Sequence, residues 1–246
     1  MSVASSATHP PERVALVQWA ARLGAVTAEA LAERERSTVA CARSRLLAAE
    51  RRGLLCRCRP LTGAPSLYTV TAAGIRVAGV RGLEPCRISA ANAAHAIACV
   101  GAAVTLEHCY PSHRVLGERE LRRDEREHGH ALASARLDAG RHGAPLLHRP
   151  DLVLWPKAAA GELPVAVEVE LTCKAPRRLL AICRAWARCR CVAGVIYLTA
   201  PEVQRPLERA IEHAHAGERV LALALDVLPR HMGAEGASES TVAMGA

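Results

Sequence analysis

The 246-residue chain has no phenylalanine, and aromatic side chains amount to 2% of it. A core built with so few rings must be aliphatic. Half of the residues are apolar, with alanine and valine supplying much of that half. Lysine is nearly missing too: of 32 basic residues, 30 are arginines and only Lys157 and Lys174 are lysines. No secretory signal and no apolar run of about 18 residues is read, which argues against a membrane partner. The ten cysteines are scattered, and Cys56-Arg-Cys58 and Cys189-Arg-Cys191 lack the paired Cys-x-x-Cys spacing of structural zinc sites. No zinc is expected. Most of the cysteines read as small core residues, in a reduced, cytoplasmic protein.

What is present is positive charge. The formal net charge is +8 and the pI about 9.2, which favours an anionic partner such as nucleic acid. Arginine enrichment alongside heavy alanine and glycine usage also follows from a GC-rich genome, so charge decides little by itself. The length allows one large domain or two small ones.

The chain is organised around His148-Arg-Pro-Asp151-Leu-Val-Leu-Trp and, after a short loop, Val165-Ala-Val-Glu-Val-Glu-Leu-Thr-Cys-Lys174. At a period of two, Glu168, Glu170, Thr172 and Lys174 share one strand face, with Val167, Val169, Leu171 and Cys173 on the other. The valine face reads as core and the acidic face as chemistry. A hairpin would bring Asp151 to Glu168 at a sheet edge, where two carboxylates offer hard oxygen ligands to Mg²⁺ or Mn²⁺ and Lys174 a charge for a developing phosphate. In a composition that uses arginine nearly everywhere, a lysine kept on this face suits a compact, titratable charge.

Taken in order, residues 1–12 read as a disordered lead-in. An apolar stripe predicts a helix from Arg13 to Gly24; Thr27 caps a second short helix; Ser37 caps a third over 38–52, with Val39, Ala42, Leu46, Leu47 and Ala49 inward. Two extended runs, 54–60 and 66–70, flank a turn, and a further helix begins at Thr71. Three helices followed by a hairpin is the layout of a winged helix-turn-helix, which lays its third helix in the DNA major groove. Arg34, Arg36, Arg43, Arg45, Arg57 and Arg59 fall where phosphate contact requires them. The same arginines would equally coat a solvated face, and such a module also serves protein docking and homodimerisation.

Residues 81–88 read as a linker, and Ser89 caps an alanine-rich helix reaching about His108. The charged run from His113 reads as a solvated face, with Glu118 or Glu120 available as a further carboxylate. His128, His130, His142 and His148 imply no ligand geometry, and 129–143 reads as a mobile loop. Beyond the hairpin come a helix over 175–189, a doubly buried strand over 191–199 with a parallel neighbour, a helix over 201–216 and a last strand over 219–228. Residues 231–246 read as a disordered tail.

Pro150-Asp151 and Glu168-x-Glu170, set in the order helix, acidic hairpin, helix, buried strand, resemble the PD-(D/E)xK nuclease superfamily. The resemblance implies an α/β fold, α+β overall: a winged helix-turn-helix over 13–80, then a restriction-endonuclease-like three-layer α/β domain over 89–230. Asp151 matches the motif's first acid and Glu168 its second, while Glu170 stands where the motif has lysine. On a straight strand Lys174 would lie about 13 Å beyond that position. The chain also resembles the replication-relaxation family of plasmids and conjugative elements, through Val115-Leu-Gly-Glu-Arg-Glu-Leu-Arg, Pro-Asp and Glu-Val-Glu-Leu-Thr-x-Lys-x-x-x-Arg. That likeness implies double-stranded DNA as partner, with replication or conjugation proteins beside it. Three readings stay open: a metal-dependent DNA endonuclease using Asp151, Glu168, Glu170 and Lys174; a non-catalytic DNA-binding replication factor; and a transcriptional regulator.

Overall fold

The computed structural model describes residues 9–137, 146–157 and 161–226. The lead-in up to residue 8, His142 and the tail beyond 226 lie outside the described residues. The fold mixes helices with parallel and antiparallel strands, and the chain divides into two compact units between Val100 and Gly101.

In the first unit α1 (Pro11–Leu23) begins with proline at its first position, where the missing N–H costs nothing, and ends at Gly24 with φ +93°. A two-residue strand, β1 (Ala25–Val26), follows. Thr27 then caps α2 (Ala28–Arg34) by accepting from the Ala30 N–H at 3.1 Å. The cap of α3 (Val39–Arg51) is Thr38, accepting from Cys41 at 3.2 Å, rather than Ser37. Ala42, Leu46 and Ala49 are its buried residues, while Val39, in the first helical position, is 37% exposed and not part of the core. β2 (Leu55–Cys58) and β3 (Leu67–Val70) pair antiparallel, and β3 also takes β1, giving the order β1-β3-β2. Thr71 caps α4 (Ala72–Ala78).

Residues 81–89 form neither helix nor strand, and α5 (Ala90–Cys109) carries the chain across the division between units. Contrary to the sequence expectation, α5 is long and apolar enough to cross a membrane by length and composition alone, with a mean hydropathy of 1.2. A third of that window is buried inside the protein, and the core helix of a globular protein passes the same test.

The second unit is built on a five-stranded mixed sheet, order β10-β9-β8-β7-β4. Its elements in chain order are β4 (His113–Gly117), α6 (Glu118–His128), β5 (Ala135–Leu137), β6 (Leu146–His148), β7 (Leu152–Pro156), β8 (Val165–Glu170), α7 (Pro176–Arg188), β9 (Gly194–Thr199), α8 (Pro201–His213) and β10 (Val220–Ala224). The charged run thus opens with a strand, and part of the expected mobile loop is β5, paired with β6. β8, β9 and β10 run parallel; β7 is antiparallel to both β8 and β4. Val153, Ala166, Val195 and Tyr197 join Leu179, Ile182, Trp186, Val203 and Leu207 from α7 and α8 in one core.

The cysteines do not follow the expectation of small core residues. All ten are free thiols; Cys183 and Cys189 are buried, whereas Cys41, Cys56 and Cys173 are exposed.

Glycine is required at position 74, where a Cβ would lie 2.2 Å from the Leu54 carbonyl oxygen and 2.7 Å from Val70 Cγ2. Gly74→Ala should cost roughly 1–3 kcal/mol through overpacking. A Cβ at Gly101 meets nothing within 4 Å, and Gly101→Ala should gain up to about 1 kcal/mol from helix propensity. Urea midpoints compared at an unchanged slope check both directions.

Candidate functional site

The hairpin expected from sequence forms in the expected register. Leu152 pairs with Val167 and Val153 with Ala166, which sets Asp151 across from Glu168 on the same face. Asp151 Oδ2 accepts the Val169 N–H at 2.8 Å, so the acid replaces a ladder bond just where β7 begins. The two strands are central rather than at a sheet edge. The site lies at the carboxyl ends of the parallel strands, where open α/β sheets place their ligands.

The division into a core face and a chemistry face does not hold. Ala166 to Glu170 are all buried, and Glu168 and Glu170 lie on the face that also carries Ala166 and, through β9, Tyr197. Glu168 is 4% exposed. Burial first, and then the charge of Asp151, push its carboxyl up from the ordinary 4.5; His148 and Lys174 oppose the rise. His148 Nε2 lies 2.7 Å from Glu168 Oε1, and its ring meets Trp186 edge-on at 5.8 Å between centroids. Tyr197, beside Glu168 across the parallel ladder, has its hydroxyl pushed well up by burial and then by Glu168, so it stays protonated. Cys183 is pushed up to about 11 by the same two causes.

Lys174 reaches the site by a route that strand periodicity misses. β8 ends at Glu170 and the chain bends, so Lys174 Nζ forms an ion pair with Glu170 Oε2 instead of lying one long stretch away. Burial lowers the Lys174 pKa, against the raising effect of Glu168 and Asp151; Arg178 lowers it further. The structure therefore brings together Asp151, Glu168, Glu170 and Lys174, and adds His148, whose signal was its place three residues before Asp151. Glu118 pairs with Arg122, and buried Glu120 lies 3.6 Å from both Arg114 and Arg123. Glu125, also buried, accepts from Arg149 at 2.8 Å and from the Leu132 N–H at 3.1 Å.

In the first unit, a concavity of about 670 Å³ between the α2–α3 face and the β2–β3 hairpin gathers Arg43, Arg57 and Arg59, with Glu29 on its wall. Arg43 lies 4.0 Å from Glu29 and Arg57 3.7 Å from Glu50. Arg59 donates to Ser66 Oγ at 2.9 Å. Arg45 is ion-paired with Glu35, and Arg34 stacks its guanidinium over Trp19 at 4.9 Å. Arg36 is exposed in the α2–α3 turn at φ +51°. Comparisons of the chain with protein-family models, with curated proteins and with solved structures give no match.

The raised carboxyl of Glu168 sets a sign for pH dependence. The folded chain keeps a proton at Glu168 that the unfolded chain has released, so this contribution to stability is complete below 4.5 and is lost as pH rises through the folded value. Glu168→Gln removes that loss. Its stability relative to the natural chain should improve between acid and neutral pH, read from urea midpoints at each. A variant that instead loses ground as pH rises would mean that the fold holds the carboxylate, not the acid.

Proposed function

We propose that the chain is a cytoplasmic DNA-binding protein of the replication-relaxation type, with a winged-helix first unit and a nuclease-like second unit. The observation that carries DNA binding is the concave surface on which Arg43, Arg57 and Arg59 meet between α3 and the hairpin. Three helices followed by an antiparallel hairpin support the winged-helix reading, as does the exposure of Ser37, Thr38, Val39, Ala40 and Cys41 at the start of α3. Small side chains there let a helix approach base edges closely. The ion pairs of Arg43 and Arg57 do not compete seriously with phosphate, because exposed pairs of this kind contribute about 0–1 kcal/mol. An arginine in the left-handed conformation costs about 1–2 kcal/mol relative to glycine. Arg36 adopts it in the exposed α2–α3 turn, beside the start of α3.

Asp151 and Glu168 are the residues that would hold Mg²⁺ or Mn²⁺. They present oxygen donors on one face at one end of the sheet, and burial with a neighbouring like charge is a penalty that a cation removes. Such an ion, when bound, supplies an activated water and charge neutralisation for phosphodiester hydrolysis. His148 holds or releases the proton at Glu168 Oε1, Glu170 orients Lys174, and Lys174 stands ready to offset charge developing on a phosphate.

The second reading is a non-catalytic DNA-binding regulator, and one observation favours it: Glu168 and Glu170 already have His148 and Lys174 as partners within the chain. One set of measurements separates the two. Plasmid incubated with the protein should be nicked only when Mg²⁺ or Mn²⁺ is present, and Asp151→Asn or Glu168→Gln should abolish nicking while binding persists. Binding without cleavage under any divalent ion selects the regulator. In either case Arg43→Ala and Arg59→Ala should each weaken binding across all sequences and reduce the salt slope by about one. Unchanged affinity in both would remove this surface from the interface.

A further inference from the structure

Neither reading of the second unit uses the segment that leaves α7. The helix ends at Arg188; Cys189 caps it through its N–H to the Trp186 carbonyl and turns extended, with φ −68° and ψ 128°. That reversal carries the chain round Arg190 and brings Cys191 Sγ to 3.2 Å from Cys189 Sγ, with Ser134 O at 3.9 Å from Cys189 Sγ and 3.6 Å from Cys191 Sγ. Arg219 clamps the loop from the other side, donating to the Cys189 carbonyl at 2.8 Å and to the Val192 carbonyl at 2.6 Å. The two sulfurs are therefore held together by backbone geometry and a fixed guanidinium.

The pair also has an opening. A cavity of about 490 Å³ is lined by both cysteines together with Arg136, Arg188, Arg190 and His130. A partly accessible thiol in electropositive surroundings is the setting in which cysteines react. The hydrogen bond from Cys191, with Arg219 contributing, draws Cys189 down to about 6, and the same bond pushes Cys191 up. The pairing thus favours the thiolate at Cys189 and the thiol at Cys191. Cys183, within α7 and enclosed, goes the opposite way.

We propose that Cys189 and Cys191 form a redox dithiol that closes to a disulfide when a peroxide enters the arginine-lined cavity. The Cys189 thiolate attacks one peroxide oxygen, the O–O bond breaks, and the departing hydroxide takes up a proton to become water. The Cys189 sulfenic acid that results is then attacked by the Cys191 sulfur. The S–S bond forms, the S–O bond breaks, and the hydroxyl leaves as a second water with the Cys191 proton. Each sulfur loses one electron and the peroxide gains two. A ring closed across the single residue Arg190 is constrained, and constrained disulfides are the readily reduced, switching kind.

The test uses the full reduced chain, hydrogen peroxide, an alkylating label for remaining thiols, and trypsin. Because trypsin cuts after Arg188 and Arg190, the two cysteines fall on separate peptides. After peroxide those peptides should travel as one species that a reductant separates, while the Cys183 peptide carries label. Should the bond shield Arg190 from cutting, closure reads instead as one unlabelled peptide lacking two hydrogens. In Cys191→Ser the linked species should vanish and a sulfenic acid at Cys189 should be trapped by dimedone. Separate, fully labelled Cys189 and Cys191 peptides after peroxide, or Cys189 linked to Cys41, Cys56 or Cys173, would overturn the proposal. The measurement on the unaltered chain does not depend on any variant folding.

Discussion

A carboxyl group that is 4% exposed must be matched by something, since removing its charge from water costs several kcal/mol if it is left alone. At Glu168 the match comes from a single stretch of chain. His148 meets its carboxyl, Arg149 anchors the buried Glu125 of α6, and Asp151 takes the Val169 N–H one residue beyond Glu168. Three polar side chains within four residues thus tie β8, α6 and β7 to one another. The short β5–β6 ribbon has its use here: it ends at His148 and so delivers the imidazole beneath α7, where Trp186 packs against its edge. Without that ribbon Glu168 would lose the contact with His148 that opposes the upward push of burial on its carboxyl.

The same arrangement explains how far the sequence could be read. The hairpin and its register were legible, because period-two alternation on β8 and the position of Asp151 at the start of the preceding apolar run leave few pairings. The parallel neighbours of β9 followed from a strand with no polar face. The Thr27 cap of α2 was plain for the usual hydrogen-bonding reason.

What failed did so for three-dimensional causes. Alternation tells which residues share a face but not what covers it, and here helices cover the acidic one, so Glu168 and Glu170 became core. Extending the strand to Lys174 assumed a straight chain; the bend after Glu170 lets lysine fold back on the acid four residues earlier. β1 is two residues long and exists only because β3 pairs with it, which no local pattern signals. His148 looked like one of several scattered histidines until the ribbon placed it. The cysteines went astray through composition: small and apolar was taken to mean enclosed, but three of them face solvent.

The two readings of the second unit come down to which cation balances the acids. His148 and Lys174 meet them from within the chain, and burial loosens the proton of Lys174. A divalent ion held between Asp151 and Glu168 would need the Glu168 carboxylate bare, so its binding would be coupled to release of the proton that burial favours there. The site's acid-base chemistry and any metal affinity would then be one equilibrium. A methionine or leucine of similar volume would fill the space under α7 without the desolvation cost that a buried acid carries. A buried, partnered acid at this position is a cost that the proposed metal chemistry would account for.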